Sequence, residues 1–292
     1  METFHIKVEV PPIGKIPVFV RRWGGNTRKV LLVHGWMDSS RRWHRLAPDL
    51  ASQYEIWALD LPGFGHTPLI PRCHATLKMY SEVVAGLSKQ ISEGKGLHGV
   101  IGHSMGGILS LLLLKAPRLA VKRIIACGPP IKGVYYLKPL ANRTRFVATC
   151  LSVFQAFRAG VRKLTAERVT LGAHGVPEYP KDGRRVLPDA YADALTAAIL
   201  LKQTCNYNLF GELDILHEEA SQELASVDSG LRYPETATFI MRGQHDPFCS
   251  RHTALQLAET LGSVFHEVPG CLHVPFVERP SVTYPVLRKF LD

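Results

Sequence analysis

The stretch that most constrains the fold is residues 102–106, which read Gly-His-Ser-Met-Gly. An apolar segment, 99–101, precedes it and a largely apolar run, 108–114, follows it, as expected for a strand, a sharp turn and a buried helix. In that setting Gly-x-Ser-x-Gly predicts a nucleophile elbow, in which strained backbone projects the serine hydroxyl above the sheet edge. The two glycines lack the Cβ atoms that would collide where helix and strand cross. We therefore expect Ser104 to be a nucleophile.

Strand and helix patterns alternate on both sides of this turn. A hairpin is expected at the start of the chain, from strands at 8–10 and 16–20. Buried strands are predicted at 29–33, 55–59, 122–127, 238–241 and 264–268. Helices are predicted at 46–50, 77–91, 253–261 and 282–291. This alternation is typical of an α/β fold whose parallel sheet is covered on both faces.

The alternation stops between residues 131 and 235, where strand patterns are almost absent. Apolar residues recur at every third or fourth position from Phe146 to Leu164, which predicts an amphipathic helix. We predict three segments: the first part of an α/β core at 1–130, a mostly helical cap at 131–235 and the second part of the core at 236–292.

Two later loops carry the partners that a serine nucleophile needs. A hydroxyl requires an adjacent base, and the base requires a third group that orients it. Asp246 follows the strand predicted at 238–241, and His273 follows the strand predicted at 264–268. The chain order Ser, Asp, His is the order of the elbow topology, and strand carboxyl ends are where catalytic groups collect. We predict Ser104, Asp246 and His273 as a catalytic triad that needs no metal and no cofactor.

The same chemistry requires two backbone N–H groups directed at the developing negative charge. Met105 follows the nucleophile, and Trp36 lies in the turn after the first parallel strand, so their amides are the candidate oxyanion hole. The side chains of four residues are candidates for the substrate pocket: Trp36, His103, Phe154 and Val274. His103 is also interpreted as a packing or hydrogen-bonding residue, and His34 as a residue that orders its own loop.

Composition narrows the cellular setting. The chain of 292 residues has no apolar run long enough to span a membrane and no secretory signal at its N-terminus. Its six cysteines are scattered, which favours buried thiols over a disulfide framework. A cytoplasmic protein, either a monomer or a homodimer, is expected.

These motifs resemble the α/β-hydrolase superfamily over essentially the whole chain. The matching segments are 34–36, 60–65, 102–107, 243–246 and 270–273, together with Glu278 and Pro280. The resemblance implies a mostly parallel, doubly wound, eight-stranded sheet with a helical cap inserted after the sixth strand. It also implies the triad and the oxyanion amides named above. The match departs at His66-Thr67, where serine is usual. Epoxide hydrolases and haloalkane dehalogenases of this fold use aspartate at the Ser104 position, so their chemistry is not expected.

The leading functional hypothesis is a serine hydrolase that cleaves a carboxylic ester of a small or medium acyl substrate through an acyl-enzyme. The pattern is similar to carboxylesterases and to pimeloyl-carrier-protein methyl ester esterases, which implies a second hypothesis. The substrate would then be an ester or thioester on an acidic acyl carrier protein. A carbon–carbon hydrolase, lyase or perhydrolase with the same triad, and a ligand-binding receptor of this fold, stay open as further alternatives.

The charge distribution bears on the carrier-protein hypothesis. The net formal charge is +10, and residues 131–185 contribute +8 whereas residues 186–235 contribute −7. Arg158 and Arg162 lie one helical turn apart with Lys163 beside them, which makes these three residues candidates for binding an acidic partner. A solvated helix face explains the same charges. Nucleic acid is not an expected partner because no binding motif accompanies the charges.

Overall fold

Eight strands form one sheet in the described part of the chain. The computed structural model describes residues 1–36, 38–68, 76–116, 119–131 and 235–292. The strands are β1 (Glu2–Val10), β2 (Gly14–Trp23), β3 (Lys29–Val33), β4 (Glu55–Leu59), β5 (Leu97–His103), β6 (Val121–Cys127), β7 (Ala237–Gly243) and β8 (Val264–Val268). Their order is β1-β2-β4-β3-β5-β6-β7-β8. β2 is antiparallel to both of its neighbours, and all pairs from β4 to β8 are parallel. The predicted mostly parallel, eight-stranded sheet is confirmed.

Four of the described helices lie between the parallel strands along the chain, and two follow β8. They are α1 (Leu46–Leu50), α2 (Leu77–Ile91), α3 (Met105–Leu112), α4 (Arg251–Leu261), α5 (Pro275–Glu278) and α6 (Pro280–Leu291). Local sequence sets their ends: the side chains of Thr76 and Ser250 cap α2 and α4, and Gly262 ends α4 in a left-handed conformation. No helix in these described segments is long and apolar enough to cross a membrane.

Two hydrophobic clusters cover the two faces of the sheet. Side chains alternate along each strand, so Leu31 and Val33 join the cluster that contains α2 and α3, whereas Val30 and Leu32 join the cluster that contains α1 and α6. This is the reason that the parallel strands read as continuous apolar runs in the sequence.

The strand order creates a crevice at one position on the carboxyl edge. The chain passes from β3 to β4 on one side and then returns to β5 on the other side of β3. Loops that leave β3 and β5 therefore diverge, and such a switch point is where open α/β sheets place their ligands. The elbow follows β5, and the turn with Trp36 follows β3.

The predicted elements differ from the structure mainly at the edge and in one short helix. β1 and β2 are longer than predicted because most of their additional residues are exposed or half-buried, which weakens the apolar signal. α5 was not predicted, since four residues give no periodicity. The described cysteines Cys127, Cys249 and Cys271 are free and buried, as expected.

The proposed cap lies almost entirely outside the described residues, and its boundaries stay a prediction. The same holds for the candidate pocket residue Phe154 and for the basic residues Arg158, Arg162 and Lys163.

Candidate active site

Ser104 occupies a strained turn between β5 and α3. Its backbone has φ 54° and ψ −123°, and Glu93 is the only other described non-glycine residue with positive φ. L-residues rarely adopt this region, and holding one there costs about 1–3 kcal/mol. The Ser104 N–H donates to the carbonyl of Cys127 at 2.8 Å, which ties the turn to the end of β6.

Close backbone packing holds this turn in place. A Cβ atom at Gly102 would lie 2.0 Å from the carbonyl oxygen of Gly106, and one at Gly106 would lie 2.2 Å from that of Val33. A Cβ at Gly35 would lie 2.9 Å from the Cβ of Ser104. Glycine is therefore required where α3 crosses β3 and β5, and the turn after β3 lies directly against Ser104.

A buried histidine supports the turn that carries Trp36. The N–H of Leu61 donates to Nε2 of His34 at 2.9 Å, so Nδ1 carries the proton and donates to the carbonyl of Gly35 at 2.7 Å. Complete burial lowers the pKa of His34 below its usual value, which favours this neutral tautomer. The interpretation of His34 as a residue that orders its own loop agrees with these contacts.

The segment after β4 is held by a second set of hydrogen bonds, formed by Asp60 and Thr67. The Asp60 carboxylate accepts the N–H groups of Ser40 at 2.6 Å and His66 at 2.8 Å. Thr67 donates its hydroxyl to the Asp60 carbonyl at 2.6 Å and accepts the N–H of Phe19 at 2.9 Å. The sequence departs from the usual serine at His66-Thr67, but Thr67 still supplies a hydroxyl that forms hydrogen bonds.

Asp246 and His273 are brought together by the loops that follow β7 and β8. Nδ1 of His273 donates to the Asp246 carboxylate, with distances of 3.0 and 2.9 Å to its two oxygens. The carboxylate is buried and also accepts the N–H groups of Phe248 at 2.8 Å and Cys249 at 3.0 Å. Gly128, with φ 58°, makes room for the pair, since a Cβ there would lie 2.9 Å from the carboxylate. This arrangement fixes the ring of His273 and leaves its Nε2 facing away from the acid.

His103 connects the elbow to the backbone of His273. Its Nε2–H donates to the backbone carbonyl of His273 at 3.0 Å, and the two rings lie 4.7 Å apart. Burial, with the neighbouring His273 and Arg42, holds the pKa of His103 well below its usual value. Both of these contacts join His103 to His273, which agrees with the interpretation of His103 as a hydrogen-bonding residue. Its role in the pocket stays a prediction.

Three further predicted residues, Met105, Trp36 and Val274, border the same edge. Met105 is buried at the first position of α3, where helix N–H groups have no intrahelical acceptor. Trp36 is half-buried, with its ring 5.1 Å from that of Phe64, and its indole N–H is buried without a hydrogen-bond partner in the described structure. Val274 is half-buried against the cluster that contains α1 and α6.

Sequence reasoning missed several residues around His273. Phe248 lies with its ring 4.8 Å from that of His273, and Gly128 gives the acid–base pair its space. The signal for Gly128 was its place directly after a predicted strand, whereas Phe248 had none. Glu278 was noted as part of a motif, and no role was assigned to it.

A known protein family covers most of the chain. The family model described as the alpha/beta hydrolase family matches residues 30–285. The chain belongs to the alpha/beta hydrolase family. Pimeloyl-(acyl-carrier protein) methyl ester esterase of Aeromonas hydrophila is 29% identical over 256 residues, a match that covers 80% of this chain and 94% of that protein.

Solved structures of an esterase and of another hydrolase share the fold. A thermophilic esterase from Thermogutta terrifontis superposes with a TM-score of 0.66 at 20% identity, covering 98% of this chain and 97% of that one. A meta-cleavage product hydrolase from Pseudomonas fluorescens gives 0.67 at 16% identity, covering 98% and 96%. The family and its esterase relatives confirm the predicted ester-hydrolysing enzyme at this level of detail.

Proposed function

We propose that the protein cleaves a carboxylic ester of a small or medium acyl substrate through a covalent acyl-enzyme on Ser104. The observation that carries the proposal is the hydrogen bond of His273 to the buried Asp246 carboxylate, together with a serine in a strained elbow whose neighbour His103 bonds the backbone of His273. The pair orients the base, and the elbow presents the hydroxyl.

The reaction divides into two steps. His273 Nε2 takes the Ser104 proton as the oxygen attacks the ester carbonyl, and the same nitrogen returns the proton to the departing alkoxide. The amides of Trp36 and Met105 stabilise the oxyanion, with help from the N-terminus of α3. Water, deprotonated by His273, then releases the acid from the acyl-enzyme and restores the serine. Throughout the reaction Asp246 accepts a hydrogen bond from the Nδ1–H of His273, and its negative charge stabilises the imidazolium that forms.

Active-site labelling tests this proposal. A fluorophosphonate probe is expected to label the wild type and the control Ser281→Ala, which changes an exposed serine. Ser104→Ala is expected to lose the label and about 10⁴-fold or more of kcat on p-nitrophenyl esters. Comparing short, medium and long acyl chains then gives the size of the pocket. An unlabelled wild type, or a labelled Ser104→Ala, contradicts the proposal.

A second candidate function is hydrolysis of an ester or thioester on an acyl carrier protein. It is favoured by the Aeromonas hydrophila relative, of which the match covers 94%, and by the basic residues Arg158, Arg162 and Lys163. Electrostatic attraction would guide the acidic carrier to the enzyme.

Charge reversal tests the second candidate. Arg158→Glu with Arg162→Glu is expected to lower kcat/KM for a carrier-bound ester about tenfold or more, without changing that for the same ester free of carrier. The control Lys89→Glu reverses an exposed charge on α2. Equal losses on both substrates, or none on either, contradict carrier recognition by these residues.

A further inference from the structure

The loop that carries His273 has no regular secondary structure, yet its backbone is held on both sides of the histidine. The two oxygens of the Glu278 carboxylate accept different N–H groups: Oε2 accepts that of Leu272 at 2.7 Å, and Oε1 accepts that of Val274 at 2.8 Å. These residues flank His273 directly. One side chain therefore spans the peptide segment on which the proposed base is mounted.

A third contact holds the same segment. The carbonyl of His273 accepts the Nε2–H of His103 at 3.0 Å. The centroid of the His103 ring lies 5.3 Å from that of Phe276, with the two rings edge to face. Phe276 stacks on Trp43 at a centroid distance of 4.6 Å, so the imidazole is packed in the core. Because His103 immediately precedes Ser104, this bond joins the strand of the nucleophile to the backbone of the base.

Glu278 is fixed by its own surroundings. It ends the one-turn helix α5, and its N–H donates to the carbonyl of Val274 at 2.9 Å, so Val274 and Glu278 bond each other twice. The Cys271 thiol lies 3.4 Å from Oε2. Burial and the nearby carboxylate raise the pKa of Cys271 to about 12, so the thiol keeps its proton and donates it to this contact.

Helix capping alone does not account for this pattern. A capping box also satisfies the N–H of the N-cap residue, which is Val274 in α5. The bond from Leu272 lies outside such a cap, because Leu272 precedes His273 and is not part of α5.

We propose that Glu278 and His103 are positioning residues that hold the backbone of His273, and thereby its ring, against Ser104. The proposal rests on the proposed function of His273 as the base. Hydrogen bonds that a carboxylate accepts are charge-assisted and stronger than neutral ones. A displacement of about 1 Å in a catalytic group costs up to ~10²-fold in rate. Their effect is therefore expected in kcat.

The first test replaces one carboxylate oxygen. In Glu278→Gln the amide oxygen can still accept one N–H, whereas the NH₂ group faces the other donor. We expect kcat on a p-nitrophenyl ester to fall about tenfold to a hundredfold with KM nearly unchanged, and the fluorophosphonate labelling rate to fall by the same factor. The matched control is Glu259→Gln, an exposed glutamate on α4, which is expected to leave both rates unchanged.

The second test uses His103. Glutamine can donate from its amide to the carbonyl of His273, whereas alanine cannot. His103→Gln is therefore expected to retain more kcat than His103→Ala, and this rescue separates positioning from a loss of packing. Circular dichroism and thermal unfolding confirm that each variant is folded at the assay temperature.

The outcomes separate the positioning proposal from the proposed function. Folded Glu278→Gln with kcat within about twofold of wild type overturns the positioning role. A wild type inert to every ester and to the probe overturns the proposed function instead. The imidazole resonances of His273 then still test the positioning role: Glu278→Gln should shift them and Glu259→Gln should not, and unshifted resonances overturn it.

Discussion

The proposed nucleophile and the proposed base are held in place by different kinds of interaction. The elbow at 102–106 is fixed by backbone atoms in close contact, with space for no Cβ at Gly102 or Gly106. The loop at 270–274 is fixed by side chains that accept and donate hydrogen bonds, above all Glu278. Steric repulsion rises steeply with distance, whereas a hydrogen bond is worth only about 0.5–3 kcal/mol. We therefore expect added side-chain volume to disrupt the elbow, and removal of a hydrogen-bond acceptor to disrupt the loop.

The largest effect is expected from one added methyl group in the elbow. Gly106→Ala would place a Cβ 2.2 Å from the carbonyl oxygen of Val33, and neither backbone can move without opening the sheet. We expect a loss of more than about 4 kcal/mol in the free energy of unfolding, or no folded protein.

Gly107→Ala is the matched control in the same helix. Its Cβ would find its nearest neighbours at 3.4 to 3.5 Å, which is ordinary contact. Its stability is expected to stay within about 1 kcal/mol of wild type. Urea unfolding of both variants measures the difference, and similar midpoints would show that sterics do not fix the elbow.

The same contrast explains what sequence could predict. β3, β4, β8 and α2 match their predicted bounds because their apolar patterns depend only on local periodicity. The elbow was predictable because glycine and serine spacing records a local steric demand. The bonds of Glu278 and His103 join residues through space by side-chain orientation, and no spacing along the chain encodes that.

The acid loop extends the comparison, since it too is held by a charged side chain. Arg242 is buried; it donates to the carbonyls of Cys249 at 2.8 Å and Gln244 at 3.2 Å, on either side of Asp246, and pairs with Glu267. Arg242→Lys keeps the charge and loses the planar fork, so we expect about 3 kcal/mol of destabilisation.

The control for Arg242 is a second arginine beside the same carboxylate. Arg251 lies 3.7 Å from Glu267 and is 63% exposed. Arg251→Lys is expected to change stability by less than about 0.5 kcal/mol in urea unfolding. Equal effects of the two substitutions would mean that the three contacts of Arg242 do not matter.

Lowering the pH should destabilise both regions, because each contains a buried imidazole. Burial lowers the pKa of His34, under the turn beside the elbow, and of His103, under the base. Below about pH 6.5 the unfolded chain protonates these two imidazoles, whereas the folded chain does not. Their contribution to the free energy of unfolding is therefore fully present above that pH and is lost as the pH falls below it. Each residue contributes up to about 1.4 kcal/mol per pH unit.

A histidine substitution isolates one of these contributions. His103→Gln is expected to reduce the loss of unfolding free energy between about pH 6.5 and about pH 5.5 relative to wild type. His252→Gln, at an exposed position on α4, serves as control and should keep the wild-type slope. A His103→Gln slope equal to that of wild type would show that the imidazole takes up its proton without cost.

The smallest effect tests whether the elbow is strained as well as tightly packed. Ser104→Gly and Ser104→Ala both lack the hydroxyl and should be equally inactive. Glycine adopts φ 54°, ψ −123° without a steric cost, which offsets its larger loss of entropy on folding, whereas alanine keeps the Cβ. We expect Ser104→Gly to be about 1 kcal/mol more stable than Ser104→Ala in urea unfolding.

At the base the order should reverse. His273 lies outside the positive-φ region, so His273→Gly gains no relief and should be less stable than His273→Ala by about 0.5–1 kcal/mol. Opposite orders at the two positions mean that backbone strain resides at Ser104 and not at His273. The same order at both would mean that Ser104 holds its unusual conformation without cost, and the contrast would then rest on the contacts of Gly102 and Gly106 alone.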